Sequence, residues 1–245
     1  MTRFAYGESV HLYRYLWGVR RSCGTTAAVG ATDFVCFTDG APRAVPPWTV
    51  VRNRRRGHLS PRMRAKFFKV LSHRVFPRGR PAMLETFPFG LRGRRYPYDY
   101  VIWIDASIRI TRADFAEMMI AEIGQAGMSM IVHPDRDCVY DELDATIAWG
   151  KYQAAPVTEQ VASYRQEGYP AHRGLMAGGL ITRACGDLSV AQINEAWWAE
   201  QVRWTDQDQL SLPVVLWRLG REVSVVRIPL WTSGYFERLP HRFER

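Results

Sequence analysis

Four aspartates stand where carboxylates can reach a ligand. Asp39 follows the apolar run Phe34–Thr38, Asp105 follows Tyr100–Ile104, and Asp206 and Asp208 open a late helical stretch in Thr205-Asp-Gln-Asp-Gln-Leu-Ser. Ligands of open α/β sheets bind beyond the carboxyl ends of the strands, so an acid just past an apolar run is well placed for chemistry. Carboxylate oxygens suit a hard divalent ion, Mg²⁺ or Mn²⁺, which takes one or two carboxylates and fills its shell from substrate phosphates. Asp105-Ala106-Ser107 offers two oxygens on the same side of a short turn, with Ser107 a weaker ligand than a second aspartate. Asp208 can serve as a base or as an electrostatic partner to developing positive charge. By spacing alone, Asp105 reads equally well as a strand-end residue that caps the following turn.

The second chemical feature is a block of positive charge. Arg52, Arg54, Arg55, Arg56, Arg62, Arg64, Lys66, Lys69, Arg74, Arg78 and Arg80 fall between Val51 and Arg80 with no acid among them. That block alone exceeds the net charge of +9, so the remainder is close to neutral or slightly acidic. Such a field attracts polyanions: nucleic acid, anionic lipid or phosphorylated substrates. A solvated basic face is the plainer alternative. Arg54, Arg55, Arg56, Arg78 and Arg80 are the candidates for a polyanionic acceptor.

These groups need a scaffold, and 245 residues suffice for one sizeable α/β domain or two small ones. Helical spacing predicts helices over Val10–Arg21, Ser60–His73, Arg112–Gly124, Asp141–Tyr152, Thr158–Glu167, Val190–Val202 and Asp206–Leu219. Apolar runs predict strands over Asp33–Thr38, Thr49–Arg52, Asp99–Ile104, Ser129–His133, Gly174–Arg183 and Val223–Ile228. Ser60-Pro61 is a good helix start, with Ser as cap and Pro in the first turn. The Asp99–Ile104 run is continuous, as a central strand covered on both faces should be. Gly178 and Gly179 loosen a strand near a ligand or another backbone. Alternating strands and helices predict an open α/β sheet.

The apolar runs are too short to span a bilayer, and the N-terminal residues lack an apolar signal core. The four cysteines are widely spaced, so a zinc site built from them would need a chance convergence. Buried free thiols in a reducing compartment are expected. His133 reads as a satisfied strand-end histidine, and Trp197-Trp198 as core and cleft wall. The chain has no P-loop, no G-x-G-x-x-G and no serine nucleophile elbow.

An ordered series of motifs narrows the reading. It runs Arg64-Ala-Lys66…His73-Arg74-Val-Phe76-Pro77, Tyr100-Val-Ile-Trp103-Ile-Asp105 and His133-Pro134-x-Arg136-x-Cys-Val-Tyr140-x-Glu142. It continues through Gln160…Tyr164-x-x-Glu167-Gly168, Gly174-Leu175, Trp197-Trp198 and Asp208-Gln209-Leu210-Ser211. With this series, roughly Phe34 to Leu219, the chain resembles the GT-A glycosyltransferases. It is most similar to the glycosyltransferase-like family found in plant mucilage proteins, bacteria and phages.

The resemblance implies a single Rossmann-like GT-A domain over residues 1–245, with a mixed, mostly parallel sheet flanked by helices. The donor half would span about 1–110 and the acceptor half about 111–245. It also implies a nucleotide-sugar donor, UDP by preference, and a Mn²⁺ or Mg²⁺ ion. Phe37, Thr38 and Asp39 would line the pocket for the donor's base and ribose, and Lys66 and Arg62 would reach the diphosphate or sugar. Asp105, with Ser107, would hold the metal, and His241 stands where related enzymes can supply a late metal ligand. Gly178 and Gly179 would let the sugar approach the backbone, and Asp208 would act on the sugar or acceptor hydroxyl.

Two departures stand out: the second Asp of a full D-x-D is missing, and only Arg3–Tyr6 leaves room for a first strand. The expected setting is the cytoplasm of a bacterium or phage-infected host, with DNA bearing a hydroxymethylated base as acceptor. Glycans and phosphorylated or lipid-linked acceptors are the alternatives. A nucleic-acid-binding α/β module would explain the arginines but leave Asp105 and Asp208 without roles. A metal-dependent nuclease or phosphatase would share the acids but not the ordered series.

Overall fold

The structure is a computed structural model that describes residues 12–19, 32–38, 48–52, 59–76, 98–150, 152 and 154–239. In chain order the elements are β1 (Leu12–Val19), β2 (Thr32–Thr38), β3 (Trp48–Arg52), α1 (Pro61–Val70), α2 (Ser72–Val75), β4 (Tyr100–Ile104), β5 (Ile108–Ile110), α3 (Phe115–Ala121), β6 (Met128–Val132) and α4 (Val139–Ala148). There follow α5 (Ala154–Gln166), β7 (Met176–Ala184), α6 (Leu188–Arg203), α7 (Asp208–Leu219), β8 (Ser224–Val226) and β9 (Phe236–Arg238). Seven strands form one sheet in the order β3-β2-β1-β4-β7-β6-β8, and β5 pairs with β9 in a small ribbon.

The sheet is mixed and Rossmann-like. β2, β3, β4, β6 and β8 share one direction, while β1 and β7 run opposite to their neighbours. Among the described residues, only β2–β3 and β6–β8 are therefore parallel pairs. The continuous apolar run of β4 has the predicted cause, because both its faces are covered. Val101 and Trp103 pack in a layer with Phe67, Phe68 and Leu71 of the α1–α2 segment, Trp197 of α6 and Val215 of α7. Ile102 and Ile104 face the opposite layer, with Phe115 and Met119 of α3 and Phe236 of β9. A third cluster joins α4, α5 and α7 through Val139, Val161, Tyr164, Leu210 and Val214.

Two expectations are corrected. Val10–Arg21 reads as a helix from Val10, Tyr13, Leu16, Trp17 and Arg20, yet Leu12–Val19 is a strand. The same segment places Tyr13, Tyr15, Trp17 and Val19 at alternate positions, and aromatic and β-branched residues fit a pleated surface. The slot between β2 and β4, with backbone partners on both sides, decides between the two periods. This strand stands well past Arg3–Tyr6, which lies outside the described residues. The second correction is at Leu71, where φ −92° and ψ 39° break the single helix expected over Ser60–His73 into α1 and α2. Its start is as expected: Ser60 Oγ accepts from the Met63 amide at 3.2 Å, and Pro61 opens the helix.

At the centre, β6 and β7 lose register between Met130 and Ile131, whose partners are Ile181 and Ala177. Gly178, Gly179 and Leu180 thus bulge out of the β6 pairing while Leu180 stays opposite Ile104 of β4. A bulge of this kind re-aims the chain beside a site.

Candidate active site

The end of β4 and the bulge of β7 lie side by side, joined by the Asp105 amide donating to the Gly179 carbonyl at 2.8 Å. Helix α1 crosses this point and presents Lys66 and Lys69, three residues apart and so on one face. Helix α7 starts there with Asp208. The result is an alternating chain of charge. Lys66 Nζ donates to Asp208 Oδ2 at 2.5 Å, and Lys69 Nζ donates to the same oxygen at 2.5 Å. Lys69 also reaches both oxygens of Asp105, at 3.3 and 3.5 Å. Trp103 Nε1 donates to Asp105 Oδ1 at 2.6 Å, and Gln201 Nε2 to Asp208 Oδ1 at 2.8 Å.

Burial sets the strength of these contacts. Lys69 and Asp208 are almost fully enclosed, whereas the Asp105 side chain is 37% exposed and faces the solvent side. Burial alone would raise the Asp208 carboxyl, but the two lysines outweigh it and hold it well below the usual carboxylate range. Burial pushes Lys66 down to about 8, against the pull of Asp208. For Lys69 the two aspartates overcome burial and raise it. Lys66 is therefore the cation of the pair nearest to titrating at physiological pH.

The glycine pair has a clear packing reason. A Cβ at Gly178 would come within 2.9 Å of Asp208 Oδ2 and 3.2 Å of Lys69 Nζ. At Gly179 it would meet Ile108 Cδ1 at 2.8 Å, with Asp105 Oδ2 at 3.7 Å. What approaches these backbones here is the charged network itself, where the sequence suggested a sugar.

The remaining sequence candidates divide. Arg62 lies at the same helix start, pairing with Asp206 at 2.8 Å and stacking over the Tyr152 ring at 4.2 Å. Ser107 follows Asp105 in the turn, and its carbonyl accepts from the Leu239 amide at 2.6 Å. Phe37 is corrected to a core residue: it is fully buried and stacks on Phe68 with ring centroids 4.2 Å apart. Thr38 is buried as well. Asp39, Arg54, Arg55, Arg56, Arg78, Arg80 and His241 lie outside the described residues. His133 is satisfied as expected, its Nδ1 accepting from the Asp135 and Arg136 amides at 3.2 and 3.1 Å. Trp197 is core, with Nε1 donating to Ser211 Oγ. Lys69, Gln201 and Trp103 were missed. The i, i+3 spacing of Lys66 and Lys69 was the one available signal for the first of them.

Part of the basic block now has internal partners: Lys66 and Lys69 face Asp208, Arg62 faces Asp206, and Arg74 pairs with Glu195. The donor set at Asp105 is oxygen-only, one part-exposed carboxylate with a serine two residues on. That fits a hard divalent ion whose other ligands are substrate phosphates.

The described residues thus form an open α/β sheet with an acid at the end of its central strand, beside a lysine pair and a buried aspartate. A family model described as the TOD1/MUCI70, glycosyltransferase-like domain matches residues 88–242, more than half of the chain, and the chain belongs to that family. Comparisons with curated proteins and with solved structures find no match. Among the described residues no helix is long and apolar enough to cross a membrane.

Proposed function

We propose that this glycosyltransferase-like chain moves a hexosyl or pentosyl group from a nucleotide-diphosphate sugar, UDP by preference, to an acceptor hydroxyl. The observation that carries the reading is the Lys66–Asp208–Lys69–Asp105 chain at the carboxyl end of β4. A diphosphate offers the lysines an alternative anion. When it takes Lys66 and Lys69, Asp208 loses the two cations that hold its proton affinity down. Its carboxylate then becomes a better acceptor for the proton of the attacking hydroxyl, or a partner to positive charge on the sugar carbon. Gln201 keeps Asp208 aimed through its other oxygen. Asp105, with Ser107, would hold Mn²⁺ or Mg²⁺ against the diphosphate, and such an ion would stabilise charge on the leaving phosphate. His241 is the proposed late ligand.

Residues 1–245 are taken as one catalytic domain, with the donor half near 1–110 and the acceptor half near 111–245. Thr38 and Asp39 are assigned to the donor half, and Gly178 and Gly179 leave room for the Asp208, Lys69 and Asp105 side chains on which the donor would act. The acceptor reading is DNA with a hydroxymethylated base, supported by the acid-free arginines Arg54, Arg55, Arg56, Arg78 and Arg80. Cys138 is a buried thiol, which a reducing compartment permits, and the proposed setting is the cytoplasm of a bacterium or phage-infected host. The test is nucleotide release from UDP-, GDP-, ADP- and dTDP-sugars with Mn²⁺ or Mg²⁺, with and without hydroxymethylated DNA. Release from one donor that rises with the modified DNA supports both parts. Release indifferent to DNA moves the acceptor to glycans, and silence with salt-sensitive DNA binding favours a binding module.

A further inference from the structure

Away from the lysine–aspartate network, the loop before α4 and the loop before β7 bring three chemically unlike ligands together. Cys138 Sγ, a carboxylate oxygen of Asp141 and a ring nitrogen of His172 all lie within 4.8 Å of one another, the one such group among the described residues. Cys138 is buried at the N-cap of α4 and makes no cap hydrogen bond, although that position favours Ser, Thr, Asp or Asn. Asp141 is three residues on, in the first turn of the same helix. His172 comes from the far side of α5, with its backbone at φ 55°. Its Nδ1 lies 2.8 Å from Asp137 Oδ1, and Asp137 belongs to the same loop as Cys138.

We propose that Cys138, Asp141 and His172 form a zinc site separate from the transfer centre. With Nδ1–H donating to Asp137, Nε2 is the nitrogen left for the metal, as in carboxylate–histidine–zinc arrangements. A thiolate, an imidazole and a carboxylate suit zinc, whereas Mg²⁺, Mn²⁺ and Ca²⁺ prefer all-oxygen sets. Bond lengths of about 2.0–2.3 Å place tetrahedral ligand atoms roughly 3.5 Å apart, so the group closes by small turns of two exposed side chains, Asp141 and His172. Water takes the fourth position. The cysteine gives up its proton on binding, and nothing is oxidised or reduced.

The site acts as a clip. It ties the β6–α4 loop to the α5–β7 loop where two backbone bonds already join them, Gly174 N to Asp137 O at 2.8 Å and His133 N to Leu175 O at 2.9 Å. Both loops lead to the transfer centre, one through Glu142, which bonds Gln207 just before Asp208, and the other through β7.

The test uses the full chain stripped with a chelator and titrated with Co²⁺ alone. One equivalent binding with a thiolate-to-cobalt absorption, bleached by one equivalent of Zn²⁺, is the expected result. Cys138→Ser should abolish the band, and His172→Ala, a change at an exposed position, should weaken Co²⁺ binding at least tenfold. Asp105→Asn should leave the band intact, which separates this site from the transfer centre whether or not that chain transfers sugar. No stoichiometric binding by the native chain, or a band that survives Cys138→Ser, overturns the proposal.

Discussion

Replacing Lys69 with Met tests the network where it is most buried. Lys69 sits 2.5 Å from Asp208 and 3.3 Å from Asp105, at 3% exposure. Removing one partner of a buried ion pair costs about 3–5 kcal/mol, because the other charge is left without compensation. Lys66 and Gln201 remain on Asp208, so the low end, about 3 kcal/mol, is expected. For a chain of this size that corresponds to roughly 6–12 °C in Tm. The pH dependence follows from the directions of the shifts. Asp208 is held below its unfolded value, so its contribution is present above about pH 4 and fades as pH falls. Lys69 is raised, so its share is present below about pH 10.5 and fades above it. The gap between native and variant chains should be full between these limits and narrow toward pH 3. Urea unfolding followed by tryptophan fluorescence at pH 7 and pH 3 measures it. A loss under about 1 kcal/mol at pH 7, the size of an exposed pair, or a gap that does not change with pH, would refute the reasoning.

Lys66, lowered to about 8, should give donor KM a basic limb near that pH, since its charged form is the one a diphosphate attracts. The limb should vanish in Lys66→Met, which a pH series of initial rates checks. Gly178→Ala forces a contact of 2.9 Å on Asp208 and should cost about 1–3 kcal/mol without donor present. Urea unfolding of the donor-free variant reads this, and a stability equal to the native chain would return the glycine to a sugar-approach role. Chelation should slow transfer at least tenfold and Mn²⁺ should restore it, while Asp105→Asn should raise the Mn²⁺ concentration needed, as metal titrations of the rate would show.

The parts of the site legible in the sequence were those with strong local patterns. Tyr100–Ile104 is apolar throughout because it is covered on both faces, and the end of its apolar run marks the end of the strand, just before Asp105. Asp208 followed from its position at a helix start, and Gly178-Gly179 from glycines inside a strand. Other features depend on tertiary neighbours. Leu12–Val19 carries both helical and alternate spacing, and only its two flanking strands choose between them. Phe37 is a pocket residue by family resemblance only, and the ring that stacks on it comes from α1, some thirty residues later. Lys69 and Gln201 meet Asp208 from two different helices, and Cys138 meets His172 across the whole of α5. Gln201 lies only seven residues before Asp208, but Lys69 is 139 residues away from it, and no short window of sequence contains that pair or the Cys138–His172 one.

The most direct test of the central claim is Asp208→Asn, compared with the native chain for both donor affinity and single-turnover transfer. The account predicts transfer slowed by about 10²–10⁴-fold with donor binding kept or tightened, since the lysines are freed for the diphosphate. Transfer at the native rate in Asp208→Asn would contradict it.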